Sequence, residues 1–166
     1  MKKILKLSAI IMAALFMSGC TGNLKSENIS METSIDSDVN IDDNGRQYKA
    51  HLVYTPEGHI SLSLTEPESV SGLTFVWNGG KYEISKGDLK GEFTLKPFGE
   101  DSFAFIVAEV LGNLSDTKNL RLVEKNEGDK VYEGKINDVI FNIKTDKSGR
   151  IMLLEIPEKN ITLSFV

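Results

Sequence analysis

The sequence predicts a mainly β domain, an incomplete antiparallel half-barrel of about eleven short strands wrapped on one central helix. Three observations carry this prediction. Apolar and polar residues alternate with period two from Ile35 almost to the end of the chain. Gly, Pro and Asn punctuate that alternation at short, hairpin-like intervals. A single segment, Phe103 to Leu114, changes to the helical period.

The strands follow in order. Ile35, Ser37, Val39 and Ile41 alternate with Asp36, Asp38, Asn40 and Asp42, and Asp43-Asn44-Gly45 closes the first strand. Tyr48, Ala50, Leu52 and Tyr54 form the second, and Thr55-Pro56-Glu57-Gly58 turns it into Ile60, Leu62 and Leu64. Pro presets φ and Gly accepts positive φ, so both junctions read as hairpins. Pro67 and Gly72 break the chain before Leu73, Phe75 and Trp77; Asn78-Gly79-Gly80 then reverses it into Tyr82 and Ile84, and a further strand carries Phe93 and Leu95. Beyond the helix, strands are predicted around Leu120–Leu122, Val131–Tyr132, Val139–Ile143, Ile151–Leu153 and Ile161–Phe165.

In the helical segment Phe103, Ile106, Val107, Val110, Leu111 and Leu114 make one continuous apolar stripe. Asp101 or Ser102 can accept from the free N–H groups at its start, and Glu100 and Asp101 suit the positive end of the helix dipole. Ser115-Asp116-Thr117 ends it. Ala104, Phe105 and Ala108 lie off the stripe, which predicts burial on more than one side.

Residues 1–19 read as a lipoprotein signal peptide: Lys2, Lys3 and Lys6 precede an apolar run from Leu7 to Met17 that is shorter than the roughly 20 residues a permanent membrane helix needs. Met17-Ser18-Gly19-Cys20 offers small residues before a thiol able to accept diacylglycerol and palmitate-type chains. Cys20 is the only cysteine, so no intramolecular disulfide competes for it. Two or three acyl chains on one cysteine anchor stably, whereas one holds only marginally. The predicted organisation is signal peptide 1–19, lipidated Cys20 and polar tether 20–31, and half-barrel domain 32–166, on the extracytoplasmic side of the cell membrane.

Cleavage removes three lysines and no acid, taking the formal net charge from −5 to −8. That acidity argues against nucleic acid as a partner and against adhesion to anionic lipid, leaving the covalent lipid on Cys20 as the membrane attachment. No nucleophile elbow, HExxH, Walker loop or dinucleotide fingerprint occurs, and the carboxylates are scattered on outward strand positions, so no catalytic residue, metal or cofactor is predicted. His51 and His59 are expected to face each other across the Tyr54–Ile60 hairpin as exposed strand residues. The run Asp36 to Gly45 fails as a calcium loop: starting at Asn40 puts His51 where the final Glu belongs, and starting at Asp36 puts Ile41 where the Gly belongs.

Pro67-Glu68-Ser69-Val70-Ser71-Gly72-Leu73-Thr74-Phe75-Val76-Trp77, then Tyr82, then Pro97-Phe98 before one apolar helix, carry a resemblance. Over roughly residues 31–166 this pattern resembles small clostridial lipoproteins of the LolA/LolB-like superfamily. The resemblance implies an incomplete barrel whose apolar interior holds acyl chains. Its germination-associated members imply a second role, as regulatory partner of a peptidoglycan amidase in spore-cortex or cell-wall processing. The chain departs from the carriers in lacking a long helix before the first strand and in having a smaller lid, which would leave the cavity shallower or collapsed. The candidate cavity or core residues are Phe75, Trp77, Tyr82, Phe93, Phe103, Ile106, Val107, Val110 and Phe141. They either fill the core or line a hollow facing the helix. The expected function is that of a non-catalytic binding module for a lipid-like ligand or an envelope protein.

Overall fold

Asn44 and Gly45 stand at φ 52° and 83°, the geometry a two-residue hairpin needs to match the twist of its strands. They join β1 (Ile35–Asp43) to β2 (Arg46–Tyr54) in an uninterrupted register from Ile35↔Tyr54 to Asp43↔Arg46. The same logic repeats through β3 (His59–Glu66), β4 (Leu73–Asn78), β5 (Lys81–Lys86) and β6 (Leu89–Phe93) in the computed structural model. The helix, here α1 (Phe103–Gly112), follows, and then β7 (Leu120–Asn126), β8 (Asp129–Ile136), β9 (Val139–Thr145), β10 (Ile151–Ile156) and β11 (Ile161–Phe165). The structure describes residues 29, 31–32, 34–94, 102–114, 120–126 and 128–166. The signal segment, Cys20, most of the tether, Leu95, Pro97-Phe98, Glu100, Asp101 and the Ser115–Thr117 stop lie outside the described residues.

All eleven strands form one open antiparallel sheet in the order β6-β5-β4-β3-β2-β1-β11-β10-β9-β8-β7. Two meanders therefore meet at the β1–β11 pairing, where Ile41 lies opposite Leu163. Among the described residues the two outermost strands, β6 and β7, are the strands on either side of α1 in sequence. The chain has to pass from one edge to the other, and α1 lies on the face where the sheet's apolar residues converge. Met31 packs against this core, and the Glu32 N–H donates to the Gly149 carbonyl at 2.9 Å.

Period-two alternation becomes burial on that face. Val39, Ile41, Leu52, Leu62, Ile143, Leu154, Ile156 and Leu163 are buried, as are Ala104 to Ala108, Val110 and Leu111 of α1. Seven of the ten helix residues are buried, so α1 is covered on more than one side. At its start only the Ser102 alternative can be read, because Asp101 lies outside the described residues. Ser102 is the N-cap by position, but its hydroxyl makes no capping bond; its carbonyl instead accepts from the Phe105 and Ile106 N–H groups at 3.0 and 3.1 Å. Asn113 closes the other end, its carboxamide donating to the Glu109 carbonyl at 2.8 Å.

Some strand limits also differ. β6 begins at Leu89, four residues before the predicted Phe93, because Gly87 at φ 59° opens a second tight turn directly after β5. β8 is longer than Val131–Tyr132 because Asn137 and Asp138, both at positive φ, turn it into β9. Its alternation is hidden by Gly134, which faces Phe141 across the ladder.

Candidate apolar binding site

Direct cross-strand partners share one face of a sheet and touch. The register therefore strings Ile35, Tyr54, Ile60, Trp77, Tyr82 and Phe93 into one row across β1 to β6. A parallel row runs through Leu52, Leu62, Phe75, Ile84 and Gly91. Where these rows pass beneath α1, Ile60, Leu62, Phe75, Trp77, Tyr82 and Ile84 face Ala104, Phe105, Val107 and Ala108 across a seam. The small side chains of Ala104 and Ala108 let the helix approach closely. Gly112 lies over Trp77 and Ile60 at the helix end, where a Cβ would make ordinary contact at 3.6 Å from Trp77 Nε1 and 3.9 Å from Ile60 Cδ1.

Aromatic pairs zip the seam. Trp77 and Tyr82 stand 4.2 Å apart, and Tyr82 meets Phe105 edge-on at 4.4 Å. Phe103 stacks on Tyr48 at 5.3 Å and meets Phe75 edge-on at 6.2 Å. Each such pair contributes about 0.5–1.5 kcal/mol beyond its area burial. The cavity left inside has a volume of about 20 Å³, little more than the space one water needs. The space beside the helix is filled, and a ligand would have to part α1 from β4 and β5.

Burial falls steadily along the row. Tyr54 and Ile60 are buried, Trp77 and Tyr82 half-buried, and Phe93 on the edge strand is 40% exposed. Leu89, on the same face of β6, is 77% exposed. The apolar surface of the seam thus runs outward onto an open shelf. Glu83 is the charged residue of the lining, and its carboxylate takes the Lys90 ammonium at 2.8 Å. That ion pair, with hydrogen bonding first among the causes, raises the Lys90 pKa above the ordinary lysine value.

The sequence-chosen residues distribute as follows. Phe75, Trp77, Tyr82 and Val107 line the seam. Phe103 packs at its inner end against Tyr48 and Phe75, and Ile106 and Val110 are buried in the main core. Phe141 is buried far along the sheet order on β9, where its ring occupies the space over Gly134. Phe93 is neither core nor seam, because among the described residues no strand lies beyond β6 to cover its ring. Phe105, Ala104 and Ala108 belong to the seam although they fall off the main helical stripe; the near absence of polar residues on that second face was the signal for them.

The polar residues have local roles. His51 and His59 do not face each other: Tyr54 pairs with Ile60, so the Thr55 N–H meets the His59 carbonyl, while His51 lies opposite Ser63 and Asp38. The His51 ring nitrogens contact Asp38 Oδ1 at 3.0 Å and Asp36 Oδ1 at 3.1 Å. Asp42 accepts the Gly45 N–H at 2.7 Å, so this acid is used to build the hairpin turn. Among the described residues no group of three or more His, Cys, Asp or Glu is placed to hold a metal, and no helix is long and apolar enough to cross a membrane.

No protein-family model matches the chain, and no curated protein matches it. Solved structures similar to it include the following three. An uncharacterised conserved protein from Thermus thermophilus has a TM-score of 0.48 and 12% identity, over 84% of this chain and 78% of that one. A LolA superfamily protein from Nitrosomonas europaea has a TM-score of 0.41 and 11% identity, over 80% and 83%. A DUF1329 family protein from Desulfovibrio piger has a TM-score of 0.38 and 12% identity, over 80% and 82%.

Proposed function

We propose that the protein is a lipoprotein held through Cys20 on the extracytoplasmic side of the cell membrane, and that its half-barrel binds a lipid-like ligand without catalysing a reaction. The observation that carries the ligand class is the seam between α1 and β3–β5, whose walls are aliphatic and aromatic on both sides apart from Glu83, which is ion-paired to Lys90. A hydrocarbon chain has no polar groups to satisfy, so such walls suit it and disfavour a charged ligand. The resemblance of the Pro67–Trp77 pattern to LolA/LolB-like lipoproteins points to the same ligand class. In this reading α1 lifts from β4 and β5 when an acyl chain enters, and the chain replaces the contacts that α1 gives up.

The test is lipid extraction and native mass spectrometry of the protein purified from membranes. An acyl-chain lipid bound beyond the one on Cys20 is expected. Protein that carries no additional lipid and takes up no fatty acid contradicts the carrier reading. The anchor is tested separately: Cys20→Ala is expected to leave the membrane fraction, and unchanged retention contradicts lipid anchoring.

The open edge of β6, with Leu89 77% and Phe93 40% exposed, favours a second reading. An unpaired strand edge beside an apolar shelf can take up a strand from another protein. The germination-associated resemblance names a peptidoglycan amidase as the partner class. Crosslinked recovery of a cell-wall amidase, lost on Leu89→Lys, is expected under this reading; recovery unchanged by that substitution contradicts it.

A further inference from the structure

The chain holds two Asn-Gly pairs, Asn44-Gly45 and Asn78-Gly79, each at the tip of a hairpin. Asn-Gly is the dipeptide most open to spontaneous deamidation, because glycine has no side chain to hinder attack by its own backbone nitrogen. The two pairs stand in different surroundings.

At the first, every reacting group is held. The Gly45 N–H donates to Asp42 Oδ1 at 2.7 Å. The Asn44 carboxamide donates to Asp43 Oδ1 at 2.9 Å and to the Lys159 carbonyl at 3.2 Å, and its oxygen accepts from Asn160 at 3.3 Å. The Asn44 N–H is held as well, by the Asn160 carbonyl at 2.9 Å. At the second, Asn78, Gly79 and Gly80 are all exposed. Among the described residues no hydrogen bond holds the Asn78 carboxamide or the Gly79 N–H.

We infer that Asn78 is a deamidation site of this protein and that the fold protects Asn44. The Gly79 backbone nitrogen attacks Asn78 Cγ, forming an N–Cγ bond as the Cγ–Nδ2 bond breaks. The N–H proton leaves with Nδ2, releasing ammonia and a succinimide. Water then opens the ring at either carbonyl, giving aspartate or isoaspartate. The net change is asparagine plus water to a carboxylic acid plus ammonia, with no oxidation or reduction. Asn78 pairs with Lys81 to close the β4–β5 hairpin, one pair beyond Trp77–Tyr82. Isoaspartate lengthens the backbone there and adds a carboxylate one residue beyond Trp77, at the end of the β4–β5 hairpin, whatever the seam binds.

The experiment incubates the folded full-length protein at mildly alkaline pH and follows both Asn-Gly peptides by mass spectrometry, with isoaspartyl methyltransferase labelling as a second readout. Charge-assisted hydrogen bonds of the kind holding Gly45 are strong enough to slow its attack, so conversion at Asn78 is expected about tenfold or more faster than at Asn44. In denaturant the difference is expected to vanish. Asn78→Gln is expected to cut methyl acceptance about tenfold or more, to the slow level of Asn44, and Asp42→Ala to raise conversion at Asn44. Equal rates in the folded protein, a difference that survives denaturation, methyl acceptance undiminished by Asn78→Gln, or conversion at Asn44 no faster in Asp42→Ala each overturn the inference.

Discussion

Gly134 shows how a single residue can be fixed by its partner across a ladder. It lies opposite Phe141, and a Cβ there would stand 2.2 Å from the Phe141 ring and 2.8 Å from Leu120. Phe141 is itself buried and cannot move into open space. Gly134→Ala should therefore cost about 1–3 kcal/mol through overpacking, measured by urea denaturation; a variant as stable as the parent would contradict the packing described. Asp146 is a different kind of single-residue lock. Its Oδ1 accepts from the Ser148 hydroxyl at 2.7 Å, from the Ser148 N–H at 2.8 Å and from the Arg150 N–H at 3.0 Å. These bonds, the Ser148 hydroxyl foremost, hold its carboxyl below the ordinary aspartate value. A carboxylate depressed by folding adds stability above its unfolded pKa of about 3.9, and that stability is lost as pH falls through the lowered folded value. A titration followed by NMR should place the Asp146 midpoint below that of an unfolded aspartate. A midpoint at or above it would contradict the turn.

At the scale of elements, the strands nearest the middle of the sheet were legible because β1, β2, β3 and β9 to β11 each bury one face, and burial on one face is what writes alternation into a sequence. Turn dipeptides such as Asn44-Gly45 and Asn78-Gly79 located the reversals for the same local reason. Position within the sheet was not legible. Phe93 has the same alternation as Trp77, yet it is exposed because β6 is an edge, and edges are set by the strand order of the whole sheet. The neighbours of His51 are hidden for a related reason: it lies opposite Asp38 on β1 and Ser63 on β3, and that register is not written in the turn residues alone. The helix was plain from its stripe, but Phe105 and the two alanines that complete the seam lie on a second face that a single stripe does not mark. Burial predicts the consequence of cutting into either strand or helix. Leu111 is 1% exposed, so Leu111→Ala should cost about 2–5 kcal/mol. Leu89→Ala, on the open shelf, should stay within about 0.5 kcal/mol of the parent. Denaturant midpoints would distinguish these; equal effects would contradict the burial gradient from core to edge.

For the whole molecule, the sheet's strand order makes one helix answerable for two open edges. The chain leaves the sheet at β6, packs α1 across the apolar face and re-enters at β7. Moving α1 away would uncover the aromatic row without breaking a strand ladder, which is how the filled seam could open to the ligand proposed above. The central claim is that an acyl chain enters between α1 and β3–β5. Trp77 is the only tryptophan in the chain and stands in the lining, so it reports directly on that space. Brominated fatty acid, whose bromine quenches indole fluorescence on contact, should quench Trp77 saturably, and the unbrominated acid should compete it away. Ala108→Trp would complicate the signal, so Ala108→Leu is the blocking variant, and it should weaken the quenching. Binding of fatty acid with Trp77 fluorescence unquenched, or no binding at all, would contradict the account.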